Sequence, residues 1–180
     1  MTGRVLVAGV GNIFLGDDGF GVEVAKRLAT ADLPSWVQVA DYGISGMHLA
    51  YDLADGYETA ILIDTAQRGE EPGTLTVIEA GRPEETGALP ESRLFDAHGM
   101  QPDVVLGVLD MLGARSARVL VVGCEPASLD YGMELSEPVA KAVGEAVQVV
   151  TGLIAEIGAD AGVAARSTGE GALYVPRHTR

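Results

Sequence analysis

Short apolar runs alternate with segments of helical periodicity along most of the chain. Four of these runs, rich in valine, leucine and isoleucine, are typical of strands covered on both faces of a sheet. They occupy residues 4–10, 37–40, 60–63 and 118–122. A further run at residues 74–78 alternates apolar and polar positions, which predicts an edge strand.

Between and after these strands, apolar residues recur at helical spacing. The pattern predicts helices over residues 20–30, 47–53 and 103–112, and a long helix that begins after Ser136 and ends near Ile157. Strands that alternate with helices predict an α/β fold. We expect three layers, in which a mostly parallel sheet carries helices on both of its faces.

The length of 180 residues is that of one domain. We assign this domain to residues 1–157, because the periodicity is lost beyond that point. Residues 158–180 are rich in alanine and glycine and carry three arginines. We therefore expect them to form a flexible C-terminal tail.

Acidic residues outnumber basic ones by 26 to 12, which gives the chain a net charge of −14. Such a surface repels phosphate backbones and anionic lipid headgroups, so we expect neither a nucleic-acid partner nor a membrane partner. The single cysteine, Cys124, cannot form an internal disulfide. This cysteine usage favours a cytoplasmic protein.

The apolar segment at residues 5–15 could suggest a signal peptide or the start of a membrane span. It runs into Gly16-Asp17-Asp18-Gly19 rather than a small-residue cleavage site, so no signal peptide is predicted. No stretch reaches the ~18 uninterrupted apolar residues of a membrane span. We therefore interpret residues 4–10 as a buried strand.

Charged side chains follow the predicted strands at their carboxyl ends, where open parallel sheets bind ligands. Asp18 lies in the loop after the first strand, Asp64 follows the third, and His98 belongs to a separate loop before a predicted helix. Two carboxylates and an imidazole suit a divalent cation such as Zn²⁺ or Ni²⁺. The three residues together therefore favour a metal site.

Each of these residues also has a purely structural interpretation. Asp18 could cap the helix that follows it, Asp64 could cap a turn, and His98 could be a solvated loop histidine. For Asp17 we favour a structural role, because two adjacent aspartates cannot both point into one small site.

Two other chemistries fit the sequence less well. Gly9-Val10-Gly11 follows a strand as in dinucleotide-binding proteins, but Phe14 replaces the third glycine, and the aspartate pair that follows would repel a pyrophosphate. Cys124 could act as a nucleophile with His98 as its base. A lone cysteine at the end of a buried strand is more often packed in the core, so we expect Cys124 to be a core residue.

The motifs at these strand ends resemble those of the hydrogenase maturation endopeptidases, in the same order, over about residues 4–150. The matching segments are Gly9-Val10-Gly11-Asn12, Gly16-Asp17-Asp18-Gly19-Phe20-Gly21, Asp41-Tyr42-Gly43-Ile44-Ser45-Gly46, Ile63-Asp64, His98-Gly99-Met100, Gly123-Cys124-Glu125-Pro126 and Leu135-Ser136. The resemblance implies a twisted, mostly parallel sheet between helices, in agreement with the pattern of the chain.

The resemblance also implies a function. Members of this family cut a C-terminal extension from the large-subunit precursor of a nickel–iron hydrogenase after nickel has been inserted. By position, Asp18, Asp64 and His98 match the family's metal ligands, which implies that they are the catalytic and metal-binding residues here. The implied metal is nickel carried by the substrate, although zinc or cadmium could occupy the site in a crystal. The implied partner is the precursor, and we expect a monomeric protease; a non-catalytic metal-sensing chaperone or binding module is the alternative.

Overall fold

Five strands form one sheet in the computed structural model, which describes residues 3–79 and 118–170. They are β1 (Val5–Val10), β2 (Val37–Gly43), β3 (Thr59–Thr65), β4 (Leu75–Glu79) and β5 (Arg118–Cys124). Their order across the sheet is β2-β1-β3-β5-β4. The strands β2, β1, β3 and β5 run parallel to one another, and β4 pairs antiparallel with β5 at the edge. The mostly parallel sheet and the edge strand predicted from the sequence are confirmed.

Three described helices cover the two faces of this sheet: α1 (Phe20–Leu28), α2 (Gly46–Ala54) and α3 (Glu137–Glu170). Helices α1 and α3 pack with the β1 side chains Val5 and Val7 in one buried cluster. Helix α2 packs with Leu6 and Ala8 from the opposite face of the same strand. Both faces of β1 are therefore apolar, which is why its sequence is a continuous hydrophobic run. The three-layer expectation is confirmed, while the helix predicted at residues 103–112 lies outside the described residues.

Helix α3 is longer than its apolar pattern predicts. It continues through Glu170, so the expectation of a tail from residue 158 is wrong for residues 158–170, which are helical. Alanine has the highest intrinsic helix propensity, and extending an existing helix needs no apolar stripe. Residues 159–165 contain four alanines, which explains how the helix continues where the periodicity is lost. Residues 171–180 lie outside the described part of the chain.

The same helix is long and apolar enough to cross a membrane by length and composition, over 26 residues from Glu137 to Gly162. Its apolar residues have another use in this fold. Val143, Val150 and Ile154 are buried against the sheet and α1 in the larger hydrophobic cluster. A helix that packs into a core has the same composition. The length and apolar composition of α3 are therefore only weak evidence for a membrane span.

The topology identifies the edge of the sheet where a ligand site is expected. The chain passes from β1 to β2 on one side and later builds β3 and β5 on the other. In open α/β sheets, ligands bind at such a reversal, outside the carboxyl ends of the strands. The crevice beyond the ends of β1 and β3 therefore has the position of an active site.

Helix α1 approaches this crevice unusually closely. A Cβ atom on Gly21 would overlap the carbonyl oxygens of both Val10 and Ile63, the residues near the ends of β1 and β3. Only glycine allows the helix backbone to lie directly against the two strands at this point. The turn that precedes α1 is thereby held beside the two strand ends.

Candidate active site

Asp18 and Asp64 meet at the hydroxyl group of Thr65. The Thr65 Oγ1 atom lies 3.1 Å from Oδ1 of Asp18 and 3.5 Å from Oδ1 of Asp64. The backbone N–H of Thr65 also donates to Oδ1 of Asp64, at 2.7 Å. Two carboxylates that are 46 positions apart in the sequence therefore share one crevice at the carboxyl ends of β1 and β3.

The loop after β1 places Asp18 in this crevice. Asp18 belongs to a 3-10 turn, Gly16–Gly19, and its Oδ2 accepts a hydrogen bond of 2.7 Å from the backbone N–H of Asn12. Gly11 has a φ of 129°, and a Cβ atom there would overlap the carbonyl oxygen of Asp18. The loop can fold back on itself in this way only with glycine at position 11.

The helix-cap alternative for Asp18 is not what the structure shows. The residue that caps α1 is Gly19, and no side chain makes a capping hydrogen bond there. The Asp18 carboxylate is turned instead toward Asn12 and Thr65. Asp64 does accept a local hydrogen bond, from the N–H of Thr65. Capping a turn would not require its carboxylate to lie beside Asp18.

The surroundings of Asp64 favour its neutral form. Burial raises the pKa of Asp64 to about 8; hydrogen bonds from Thr65 oppose the rise, and the charge of Asp18 adds to it. A nearby cation would stabilise the charged form of Asp64, because its attraction offsets both the cost of burying the charge and the repulsion from Asp18. The pair can therefore exchange a proton near neutral pH or contribute two oxygen ligands to a divalent ion.

Asp17, the adjacent residue, is bound in a different way. Its buried carboxylate accepts hydrogen bonds from the backbone N–H groups of Ala127, Ser128 and Ser136, at 2.7, 3.0 and 2.6 Å, and from the Ser136 hydroxyl at 2.9 Å. Burial by itself would raise the pKa of Asp17, but these hydrogen bonds outweigh it and hold the pKa below its usual value. Asp17 thus joins the turn before α1 to the segment between β5 and α3, which supports the structural role favoured from the sequence.

Glu125 is a second carboxylate with a structural role. It is buried, and it accepts hydrogen bonds from the backbone N–H groups of Arg68, at 2.7 Å, and Gly69, at 3.3 Å. These contacts fix the loop that leads from β3 to β4. Glu125 therefore shapes the crevice edge without contributing a carboxylate to the pair.

The third predicted ligand, His98, lies outside the described residues, so its place beside the two aspartates stays a prediction. Within residues 3–79 and 118–170, no three His, Cys, Asp or Glu side chains are grouped to hold a metal ion. The described part of the site is thus a pair of carboxylates, and a closed structural metal centre would need more ligands.

Comparison with known proteins identifies the family. The family model of the hydrogenase maturation proteases (HycI) matches residues 22–153, well over half of the chain. The chain belongs to the hydrogenase maturation protease family. The hydrogenase 2 maturation protease of Escherichia coli K12 is 31% identical over 159 residues, which cover 88% of this chain and 94% of that protein. HupD of Rhizobium leguminosarum, a hydrogenase expression/formation protein, is 31% identical over 176 residues, covering 96% of this chain and 83% of HupD.

Solved structures of hydrogenase maturation proteases share the fold. The hydrogenase 2 maturation peptidase from a Thaumarchaeota archaeon has a TM-score of 0.65 and 33% identity, covering 84% of this chain and 98% of its own. The maturating endopeptidase HybD of E. coli has a TM-score of 0.66 and 28% identity, covering 85% of this chain and 93% of HybD. This chain is therefore an endopeptidase of hydrogenase maturation, and the non-catalytic alternative is set aside.

Cys124 is not placed to be the nucleophile of this protease. Its side chain is buried in the cluster formed by α1, α3 and the sheet. Burial raises the pKa of its thiol to about 12, and the charges of Asp17 and Glu125 add to the rise. A nucleophilic cysteine needs its thiolate at neutral pH. The expectation that Cys124 is a core residue is confirmed.

Thr65 is the functional candidate to which the sequence analysis gave no role. It is the last residue of β3 and the only described side chain that hydrogen-bonds to both Asp18 and Asp64. A hydroxyl residue directly after a strand-end aspartate was the available signal. That signal is weak by itself, because threonine is common in strands for reasons of packing.

Proposed function

We propose that this protease removes the C-terminal extension of a nickel-loaded large-subunit precursor of an [NiFe] hydrogenase, acting in the cytoplasm as a monomer. Maturation proteases of this family act on hydrogenase large-subunit precursors in general. The observation that carries the finer proposal is the pair formed by Asp18 and Asp64 on the hydroxyl of Thr65. The lone, buried Cys124 is consistent with a reducing compartment.

The chemistry of the carboxylate pair fits nickel that arrives with the substrate. Asp18 and Asp64 offer oxygen ligands from two different loops, and His98 is the predicted nitrogen ligand. Three such ligands without a thiolate leave coordination positions open for groups from another molecule. We therefore expect the free protease to bind divalent ions weakly, and the precursor's own nickel ligands to remain in place when the two proteins meet.

The residues around the pair would then act by positioning. Asn12 and Thr65 hold both oxygens of Asp18, so this carboxylate meets the incoming ion without reorganising. Asp64 would release its proton as the ion approaches, because a cation lowers the cost of its buried charge. The bound nickel would supply a fixed positive charge that aligns the precursor. Its scissile bond would thus be held at the crevice only when the metal is present.

The test compares nickel-loaded with nickel-free precursor. The C-terminal mass of each precursor is measured after incubation with the wild-type protease, His98→Ala and His48→Ala. His48 is an exposed histidine on α2 and serves as the matched control. We expect the wild type and His48→Ala to cut only the loaded precursor, and His98→Ala to cut neither.

Two results would contradict parts of this proposal separately. Equal cleavage of loaded and empty precursor by the wild type would show that the protease does not read nickel. Full activity of His98→Ala would remove His98 from the site while leaving the choice of precursor intact.

A further inference from the structure

Three large apolar side chains are more than half exposed on the loops that follow β1 and β5 at the carboxyl edge of the sheet. The exposed fractions are 57% for Phe14, 93% for Tyr131 and 69% for Met133. Phe14 lies in the loop after β1, while Tyr131 and Met133 lie in the segment between β5 and α3. We call this set of three residues the apolar rim. Exposed apolar side chains that cluster in this way mark interaction sites more often than single ones do.

The apolar rim is held together by backbone hydrogen bonds between the two segments. The N–H of Gly132 donates to the carbonyl oxygen of Phe14 at 3.0 Å, and the N–H of Gly16 donates to the carbonyl oxygen of Gly132 at 2.7 Å. The carboxylate of Asp17 also joins these two segments, since it accepts hydrogen bonds from the N–H groups of Ala127 and Ser136. The exposed side chains therefore stand on an anchored base, and a partner would not have to order it on binding.

The apolar rim adjoins the carboxylate pair. The backbone N–H of Phe14 donates to Oδ1 of Asn12 at 3.0 Å, and the N–H of Asn12 donates to Oδ2 of Asp18 at 2.7 Å. One residue, Asn12, thus contacts both the apolar rim and the site. A polypeptide that lies across the carboxylate pair meets the apolar rim on this side.

Negative charge frames the apolar rim. Asp130 and Glu134 are exposed on either side of the Tyr131–Met133 segment, and the whole chain carries a net charge of −14. A partner segment that combines apolar side chains with lysine or arginine would match both features.

We propose that the apolar rim binds the stretch of precursor polypeptide that adjoins the scissile bond, and that this stretch carries apolar side chains and at least one lysine or arginine. The inference rests on the proposed function, since it assumes that a precursor is cut at the Asp18–Asp64 pair. An endopeptidase has to hold its substrate beside the bond that it cuts. Within residues 3–79 and 118–170, two hydrogen bonds link the apolar rim to Asp18 through Asn12.

A second copy of this chain fits the apolar rim less well. Stable dimers bury about 1,200–2,000 Å² in total, far more than three side chains supply. Two copies that each carry a charge of −14 would also repel each other. A short basic and apolar segment has neither difficulty.

The test measures precursor binding and cleavage with two matched tyrosine variants. Binding of a nickel-loaded large-subunit precursor is measured by calorimetry with Asp64→Asn, so that bound precursor stays uncut, and then with Tyr131→Ser or Tyr51→Ser added. Tyr51 is 55% exposed on α2 and is the control. We expect Tyr131→Ser to weaken binding about tenfold and Tyr51→Ser to leave it unchanged.

In cleavage assays without the Asp64 change, Tyr131→Ser is expected to raise KM about tenfold while kcat stays within about twofold. Replacing Asp130 and Glu134 together by Asn and Gln is expected to reduce the salt dependence of binding. Because Tyr131 is almost fully exposed, its replacement leaves the melting temperature unchanged, which circular dichroism checks.

Unchanged precursor binding and KM in Tyr131→Ser would overturn the inference even if the wild type cuts the precursor normally. So would equal weakening by Tyr51→Ser, a wild type that does not bind the precursor, or a dimer of the free protease that Tyr131→Ser dissociates. If Tyr131→Ser weakens binding but the wild type cuts no precursor, the apolar rim is a precursor-binding surface, and the proposed cleavage fails together with the placement of the bound stretch beside a scissile bond.

Discussion

Two neighbouring aspartates in one turn are held in opposite ways. Asp17 points toward the start of α3, where four hydrogen-bond donors converge on its carboxylate. Asp18 points toward β3, where its neighbour is the second carboxylate, Asp64. The donors hold the pKa of Asp17 below its usual value, whereas burial and the charge of Asp18 raise the pKa of Asp64 to about 8.

The difference distinguishes a carboxylate that stabilises the fold, Asp17, from a pair that is available to bind a ligand, Asp18 and Asp64. Every oxygen of Asp17 is used by the protein itself, so no ligand can compete for it. The Asp18–Asp64 pair places two carboxyl groups side by side, and the described residues give them only the hydrogen bonds from Asn12 and Thr65. Perturbed pKa values of this second kind are typical of functional sites.

The largest expected effect is on activity, when the carboxylate pair loses a charge. Asp18→Asn and Asp64→Asn should each reduce precursor cleavage at least ~10²-fold, because each would remove the proposed interaction with the substrate-borne cation, which would be worth several kcal/mol. Initial cleavage rates measured by mass spectrometry give the comparison. Asp32→Asn, an exposed position between α1 and β2, is the control, and near-normal cleavage by either site variant would contradict the assignment.

The corresponding change at Asp17 should affect stability instead. Asp17→Asn places an amide donor among four donors, so we expect a loss of about 3 kcal/mol and a melting temperature that is ~6–12 °C lower. Cleavage per folded molecule, measured well below the melting transition, should stay within about tenfold of wild type. A stable but inactive Asp17→Asn would show that Asp17 belongs to the site after all.

The two regions should also respond to pH with opposite sign. The depressed pKa of Asp17 contributes stability above its unfolded value of 3.8, and this contribution is lost as the pH falls through the folded pKa. The raised pKa of Asp64 works the other way: between about 4 and about 8 the folded state holds a proton that the unfolded state has lost, so stability falls as the pH rises.

Urea unfolding of wild type and Asp64→Asn across this range isolates the second contribution. Because the raised pKa of Asp64 penalises only the charged form of its carboxyl, we expect Asp64→Asn to gain on the order of 2 kcal/mol relative to wild type by pH 8 and little near pH 4. A difference between the two proteins that does not change with pH would contradict the raised pKa of Asp64 and its assignment to burial beside Asp18.

A smaller effect is expected at Thr65, which holds the pair in place. Thr65→Val removes the hydroxyl that bonds Asp18, and groups that orient ligands in this way are typically worth ~10-fold or more in affinity or activity. We expect cleavage and divalent-ion binding to fall together by about tenfold. Thr65→Ser, which keeps the hydroxyl, should restore both, and a serine variant as poor as valine would favour a packing role.

The smallest expected effect on activity is at Cys124, which is close enough to Asp17 to feel its charge. Cys124→Ala should keep cleavage within about twofold and lower stability by about 1 kcal/mol, the usual scale for a small cavity in a core. A correctly folded Cys124→Ala that cuts no precursor would bring back the cysteine-protease hypothesis.

The fold class and the position of the candidate chemistry follow from the pattern of the sequence alone. Strands covered on both faces are apolar where they cross the core, so the buried parts of β1, β3 and β5 form continuous hydrophobic runs in the sequence. The carboxyl ends of parallel strands all lie at one edge of the sheet, so the sequence alone predicts that Asp18 and Asp64 lie at that edge. The family resemblance, which the comparisons confirm, added the protease activity.

Which polar groups meet at that edge depends on how distant segments of the chain pack together. The donors to Asp17 come from residues 127–136, more than 100 positions along the chain, and the contact between Asp18 and Thr65 spans 47 positions. Periodicity records whether a residue faces the core, but it carries no information about which loops pack together. The aspartates at positions 17 and 18 are identical in local sequence terms, and their opposite roles follow from the partners that the fold brings to each.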